Sequence, residues 1–193
     1  MKRIKQLAIH TILIILITLS YSFAEDFKHF DNSISISGIV GYTLPLSPTG
    51  SNSYSESYFP GWLFGGGIRY SFSSNFAIGL FYEGTSTAHR TDPSAKVSFS
   101  PICLESLISV ASTDNERIFL IAGAGYSKNK VEGSKYPSEW NGAVFIGGAG
   151  FEYLLSKTFG LEINLKGYGF LPSSSDSDIL GISSLGMIIN LYL

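Results

Sequence analysis

The feature that most constrains this chain is an alternation of side chains two residues apart, clearest over 61–84, GWLFGGGIRYSFSSNFAIGLFYEG. Trp62, Phe64, Ile68, Tyr70 and Phe72 share one face of an extended segment, while Gly65, Gly67, Arg69 and Ser71 share the other. After Ser73-Ser74-Asn75 the pattern resumes, with Phe76, Ile78, Leu80 and Tyr82 set against Ala77, Gly79 and Glu83. Period-two patterning joined by a short polar turn predicts a β-hairpin. One face is aromatic and aliphatic nearly from end to end. The other, apart from Leu63 and Phe81, is small or charged. A water-soluble sandwich has little reason to make its polar face so rich in glycine. A sheet closed in lipid turns the apolar face outward and leaves glycine, serine and a few ions for a narrow lumen. The stretch predicts a transmembrane hairpin.

The alternation recurs. It predicts further strands over about 33–43, 96–111, 117–127, 142–155, 159–170 and 181–193, eight in all. The cleanest is the seventh, where Phe159, Leu161, Ile163 and Leu165 oppose Glu162, Asn164, Lys166 and Tyr168. The fifth contains IFLIAGAGY, apolar on both faces, and we favour the parity that turns Gly123 and Gly125 inward. Connections alternate long and short: 44–60, 85–95, 128–141 and 171–180 are long, and 73–75, 112–116 and 156–158 are short. With both termini on one side, every short turn falls on that side and every long loop on the other, as in outer-membrane barrels. An even strand number closes the sheet and leaves no edge unsatisfied in lipid. The expected fold is all-β, an eight-stranded antiparallel up-and-down transmembrane β-barrel.

The first residues stand apart. Lys2, Arg3 and Lys5 precede an apolar run from Leu7 to Leu19, and Ser22-Phe23-Ala24 has the small-x-small form of a cleavage site. This predicts a secretory signal peptide over 1–24, cut after Ala24, and a single barrel domain over 25–193. The run is shorter than the roughly 20 residues a helical span needs. The mature segment would carry ten Lys and Arg against fifteen Asp and Glu, a formal charge of −5. No basic cluster marks nucleic acid as a partner. The single cysteine, Cys103, excludes an intramolecular disulfide and any Cys-cluster metal site.

By parity, Arg69, Glu83, Glu105, Glu152, Glu162 and Lys166 all point into the lumen, with Asn164 and Asn190, and Arg117 is a further candidate. Counted from the turn centres Ser74, Asp114 and Lys157, Arg69, Glu152 and Glu162 lie five residues away, and Glu83, Glu105 and Lys166 nine. If the short turns share a rim, these charges form two tiers, each with one base and two acids. The tiers would stand roughly 13 Å apart along the chain. Buried charges persist only when paired and hydrogen-bonded. An eight-stranded interior is just wide enough to be filled by side chains, so the expectation is a closed polar core rather than a gated pore.

These features together resemble the small eight-stranded outer-membrane barrels, the group that includes the OmpA transmembrane domain and OmpX. The resemblance spans 33–193 and rests on the alternation, the turn asymmetry, the glycine-rich stretches at 65–67, 123–125 and 147–150, and a chain that stops on its last strand. Members usually end on an aromatic residue read by the barrel assembly machinery, whereas this chain ends Leu191-Tyr192-Leu193. The resemblance implies a Gram-negative outer-membrane location, with outer-membrane lipid and that machinery as partners. It leaves activity open, because structural anchors, adhesion proteins and a few lipid A-modifying enzymes share the fold.

A barrel hydrolase needs a nucleophile, a base and an orienting acid near the membrane face. Beyond the leader the histidines are His29, before the first strand, and His89, in a loop beside Arg90 and Asp92. Asp176-Ser177-Asp178 reads as solvated loop rather than a cation site. The expectation is therefore a monomeric, non-enzymatic protein with no cofactor and no metal, serving a structural, adhesion or recognition role at the cell surface. Aromatic contact candidates are Tyr54, Tyr58 and Phe59 in the first long loop, with Tyr136 and Trp140 in the third. A lipid A-modifying enzyme, a small pore and a secreted lipocalin-like barrel are the alternatives.

Overall fold

The computed structural model describes residues 30–46, 60–88, 94, 96–132, 138–172 and 180–193. Eight strands follow one another: β1 (Ser33–Leu46), β2 (Gly61–Ser73), β3 (Phe76–Ala88), β4 (Lys96–Ser112), β5 (Glu116–Glu132), β6 (Ser138–Leu154), β7 (Phe159–Pro172) and β8 (Leu180–Tyr192). Each pairs antiparallel with its neighbours in sequence, and β8 returns to β1 through pairs such as Ser37–Asn190 and Tyr42–Leu185, closing an up-and-down barrel. Closure satisfies the backbone of every strand without an edge.

The outer wall is apolar. Trp62, Phe64, Leu104, Leu165 and Leu185 are each more than half exposed, and nearly thirty large hydrophobic side chains lie outward among the described residues. A patch of this size is not tolerated in water. The inner wall carries the charges: Arg69, Glu105, Glu152 and Glu162 are at most 1% exposed. Strand β5 takes the parity that turns Gly123 and Gly125 inward, since Phe119 and Ile121 are buried while Ile118 and Leu120 lie outside.

Three short turns share one rim. The β2–β3 turn is tied to β4, where the Ser109 amide donates to the Asn75 carbonyl at 2.9 Å and the Ser109 hydroxyl donates to the Ser74 carbonyl at 2.8 Å. In the β4–β5 turn the Thr113 hydroxyl oxygen accepts from the Glu116 amide at 3.1 Å. In the β6–β7 turn the Ser156 hydroxyl oxygen accepts from the amides of Thr158 and Phe159 at 3.2 and 3.1 Å. Hydroxyl side chains thus stand in for backbone acceptors, the usual reason for Ser and Thr in tight turns.

The third loop is shorter than the sequence predicts. Strands β5 and β6 continue pairing through Lys128–Asn141, Lys130–Glu139 and Val131–Ser138, so only 133–137 connects them. Lys128, Lys130 and Trp140 are strand residues, not loop residues, and Trp140 loses its assignment as a loop contact. The cause is compositional. Lys128 and Lys130 lie outside and Ser127 and Asn129 inside, so both faces are polar and the hydrophobic alternation that signals a strand disappears. The predicted signal peptide, His29, Tyr54, Tyr58, Phe59, His89, Asp92, Tyr136, Asp176 and Asp178 fall outside the described residues.

Candidate functional site: the barrel lumen

Glu152 on β6 and Glu162 on β7 stand directly opposite one another in the ladder, two carboxylates facing inward at the same height. Arg69, projecting from β2 on the far wall, places Nη1 2.9 Å from Glu162 Oε2 and 3.6 Å from Glu152 Oε2. Arg117, from β5, adds a second guanidinium, with Nη2 2.7 Å and Nε 2.8 Å from Glu152 Oε2. Neutral donors complete the coordination. The Asn190 amide donates to Glu152 Oε1 at 2.6 Å and to Glu162 Oε2 at 3.2 Å, while the Asn164 amide donates to Glu162 Oε1 at 3.0 Å. The Tyr192 hydroxyl donates to Glu152 Oε1. This lower tier holds two bases and two acids, so its formal charge balances. The count of one base against two acids is corrected here, because Arg117 belongs to the tier.

A second group lies farther from the turns. Lys166 on β7 donates to Glu83 Oε1 of β3 at 2.5 Å and to Glu105 Oε1 of β4 at 2.8 Å. The Tyr168 hydroxyl donates to the other oxygen of Glu83, and Ser184 bonds the same hydroxyl at 3.4 Å. One ammonium therefore serves two carboxylates, its three donors suiting it to bridge them.

Between the tiers lies Phe81, 1% exposed. The Arg69 guanidinium carbon is 5.3 Å from its ring centroid and Lys166 Nζ is 5.1 Å away, both within cation–π range. The ring lies against Gly67 of β2 and Gly79 of its own strand. A Cβ at Gly67 would stand 2.4 Å from Phe81 Cδ1, and one at Gly79 would stand 2.5 Å from Cε2. Glycine is required at these two places because the wall must admit a ring laid flat.

Both ends of the described lumen are filled. At the turn end Phe30 is 2% exposed, packs edge-on against Tyr192 at 6.2 Å, and lies under the Arg117 guanidinium, 4.3 Å from its centroid. Asp31 accepts from the Ser74 amide, and Asn32 turns the chain into β1 with φ of 51°. Toward the loops, Phe99, Val144, Ile146, Phe170 and Ile182 belong to a buried apolar cluster. Above it the Thr43 and Thr85 hydroxyls are bonded at 2.9 Å.

All six charges singled out in the sequence are brought into these two groups. In the sequence alone, Arg117 is contingent on an ambiguous strand, and Tyr168, Tyr192 and Phe30 have no assigned role. Parity would have found Tyr192, which alternates with the outward Leu191 and Leu193. No pattern would have found Phe30, because it precedes the strand.

Comparison with models of known protein families, and with curated proteins, gave no match. Comparison with solved structures did. Neisserial surface protein A superposes with a TM-score of 0.63 at 11% identity, covering 82% of this chain and 96% of that one. Ail of Yersinia pestis gives 0.52 at 15% identity, covering 83% and 99%. OprG of Pseudomonas aeruginosa gives 0.51 at 12% identity, covering 87% and 98%. The fold is that of the small eight-stranded outer-membrane β-barrels. Identity this low is consistent with how such barrels are specified, since facing and turn placement constrain residue class far more than residue identity. In this barrel, parity accounts for which charges face inward, and the partners are decided by closure.

Proposed function

We propose that the chain is a non-enzymatic outer-membrane protein that crosses the bilayer as a sealed barrel and presents its loop-end connections at the cell surface for a structural, adhesion or recognition role. The observation that carries this is the combination of an apolar outer wall with an interior closed by ion pairs and aromatic rings. A secreted ligand-binding barrel needs the reverse, polar outside and an apolar cavity within. A conducting pore needs an open path, whereas Arg69, Arg117, Phe81, Phe119, Lys166 and Phe170 are all fully buried. Two of the solved barrels support the surface role, being described as a surface protein and an attachment invasion locus protein. On this reading residues 1–24 are the export signal, outer-membrane lipid and the barrel assembly machinery are the partners, and Tyr54, Tyr58, Phe59 and Tyr136 are the contact residues.

Fractionation and planar-bilayer recording test the proposal together. The protein is expected in the detergent-extracted outer membrane, without steady conductance. Recovery in soluble extracts would favour a lipocalin-like barrel, and stable, salt-dependent channels would favour a pore.

A further inference from the structure

Among the described residues, the outward-facing basic side chains of the strands gather near the loop end of β4 and β5. There Lys96 of β4 and Lys128 and Lys130 of β5 point outward, and Ser98 and Ser100 lie beside them. The ladder fixes their heights: Lys130 stands opposite Ser98, Lys128 opposite Ser100, and Tyr126 opposite Ile102. Tyr82 of β3 stands on the other side of Ile102. The wall therefore grades from aliphatic, through two tyrosines, to lysine and serine, which is the sequence of a bilayer interface. A groove of about 610 Å³ opens at this level, lined by Tyr82, Ser98, Ser100, Tyr126, Lys128 and Lys130.

Lysines snorkelling to an interface for solvation alone have no reason to gather on one side. Yet the described residues place basic side chains on the outer wall only here, the remaining outward lysine, Lys157, lying in a turn at the opposite rim. Lys130 bridges Glu132 at 2.9 Å, and Lys128 has no ion pair among the described residues. Ammonium and hydroxyl donors around a groove that continues into an apolar wall suit an anionic oxyacid joined to acyl chains.

We propose that this groove binds the phosphorylated headgroup of an outer-leaflet glycolipid, phosphate on Lys128, Lys130 and the serines, and acyl chains along Tyr82, Ile102 and Tyr126. The assignment rests on the outer-membrane reading above, with the loop end outward.

Native mass spectrometry of the full mature protein in detergent, titrated with diphosphoryl lipid A, tests it. Wild type should hold a discrete lipid adduct that millimolar inorganic phosphate does not displace. Near a surface each lysine is worth about fivefold in binding to an anionic lipid, so Lys128→Gln/Lys130→Gln should bind roughly 20- to 30-fold more weakly. Lys128→Arg/Lys130→Arg should retain binding, and Lys157→Gln should leave it unchanged. Unaltered affinity in the double Gln variant would overturn the site, as would an equal loss with Lys157→Gln. Displacement by inorganic phosphate would overturn the lipid assignment. A separate arm reads the membrane orientation. Lys130→Cys should react with an impermeant maleimide on intact cells, whereas the buried Cys103 should not. Labelling only after permeabilisation would sink the orientation while leaving the binding result to stand or fall by itself.

Discussion

Arg69 on β2 donates from Nη1 to Glu162 Oε2 on β7 at 2.9 Å, across the lumen rather than along the sheet. Going round the barrel, β1 and β8 separate these strands. The pair therefore cross-links opposite walls, and its partners are 93 residues apart in sequence. A cross-lumen tie of this kind makes the charge tiers internal struts.

The first prediction concerns which strut matters most. Arg69→Ala removes the base nearest Glu162, but Arg117 still holds Glu152. Lys166→Ala removes the base that serves both Glu83 and Glu105. Breaking a buried pair typically costs about 3–5 kcal/mol. Urea titration of the barrel refolded into bilayers at neutral pH should rank Lys166→Ala as most destabilising, then Arg69→Ala, then single Ala variants of Glu83, Glu105, Glu152 and Glu162. A Glu variant worse than Lys166→Ala would refute the ordering.

The second concerns the lipid face. Ile163 is 51% exposed on β7, opposite Phe151 and Met187 of the flanking strands. Ile163→Arg should cost about 2–4 kcal/mol if that height is near the bilayer midplane. Asn164→Ala, which loses an amide donor to Glu162, should cost about 1–2 kcal/mol. The opposite order would mean β7 has its other face to the lipid.

The third concerns the turn-end closure. Phe30→Ala empties the space between Tyr192 and Arg117, and buried Phe→Ala changes cost about 3–5 kcal/mol. A midpoint unchanged by Phe30→Ala would show that the segment before β1 does not seal the lumen.

The fourth tests the glycine cradle. Gly79→Ala should destabilise the barrel by about 1–3 kcal/mol through collision with Phe81. In the Phe81→Leu background the same change should cost clearly less, a coupling that a double-mutant cycle measures. Equal costs in both backgrounds would remove Phe81 as the reason for glycine.

The fifth concerns topology. Trypsin added to intact cells should cut at Lys135 within the 133–137 connection. It should spare Lys128 and Lys130, which are paired in β5, and Lys157, which lies at the other rim. Cutting at Lys157 alone would invert the orientation.

The alternation in the sequence determined the strand count, their order and, in every strand but the fifth, which face each side chain takes. The reason is that period two is a property of the extended backbone itself, and a closed up-and-down barrel pairs each strand with its sequence neighbour. Distance from a turn likewise sets the height of Arg69 or Lys166 in the lumen, because rise per residue is nearly constant. Tertiary structure alone decided the rest. Arg117 lies in a strand apolar on both faces, so its tier depended on how β5 docked between β4 and β6. The pairing of Arg69 with Glu162, and of Lys166 with Glu83 and Glu105, depended on the tilt and stagger of closure, which no local pattern encodes. Phe30 found its place because closure left a hole of the right size at the turn end, with Arg117 and Tyr192 around it. The lysines of β5 became part of a wall because backbone pairing, needing no hydrophobic face, carried the ladder past the last apolar side chain.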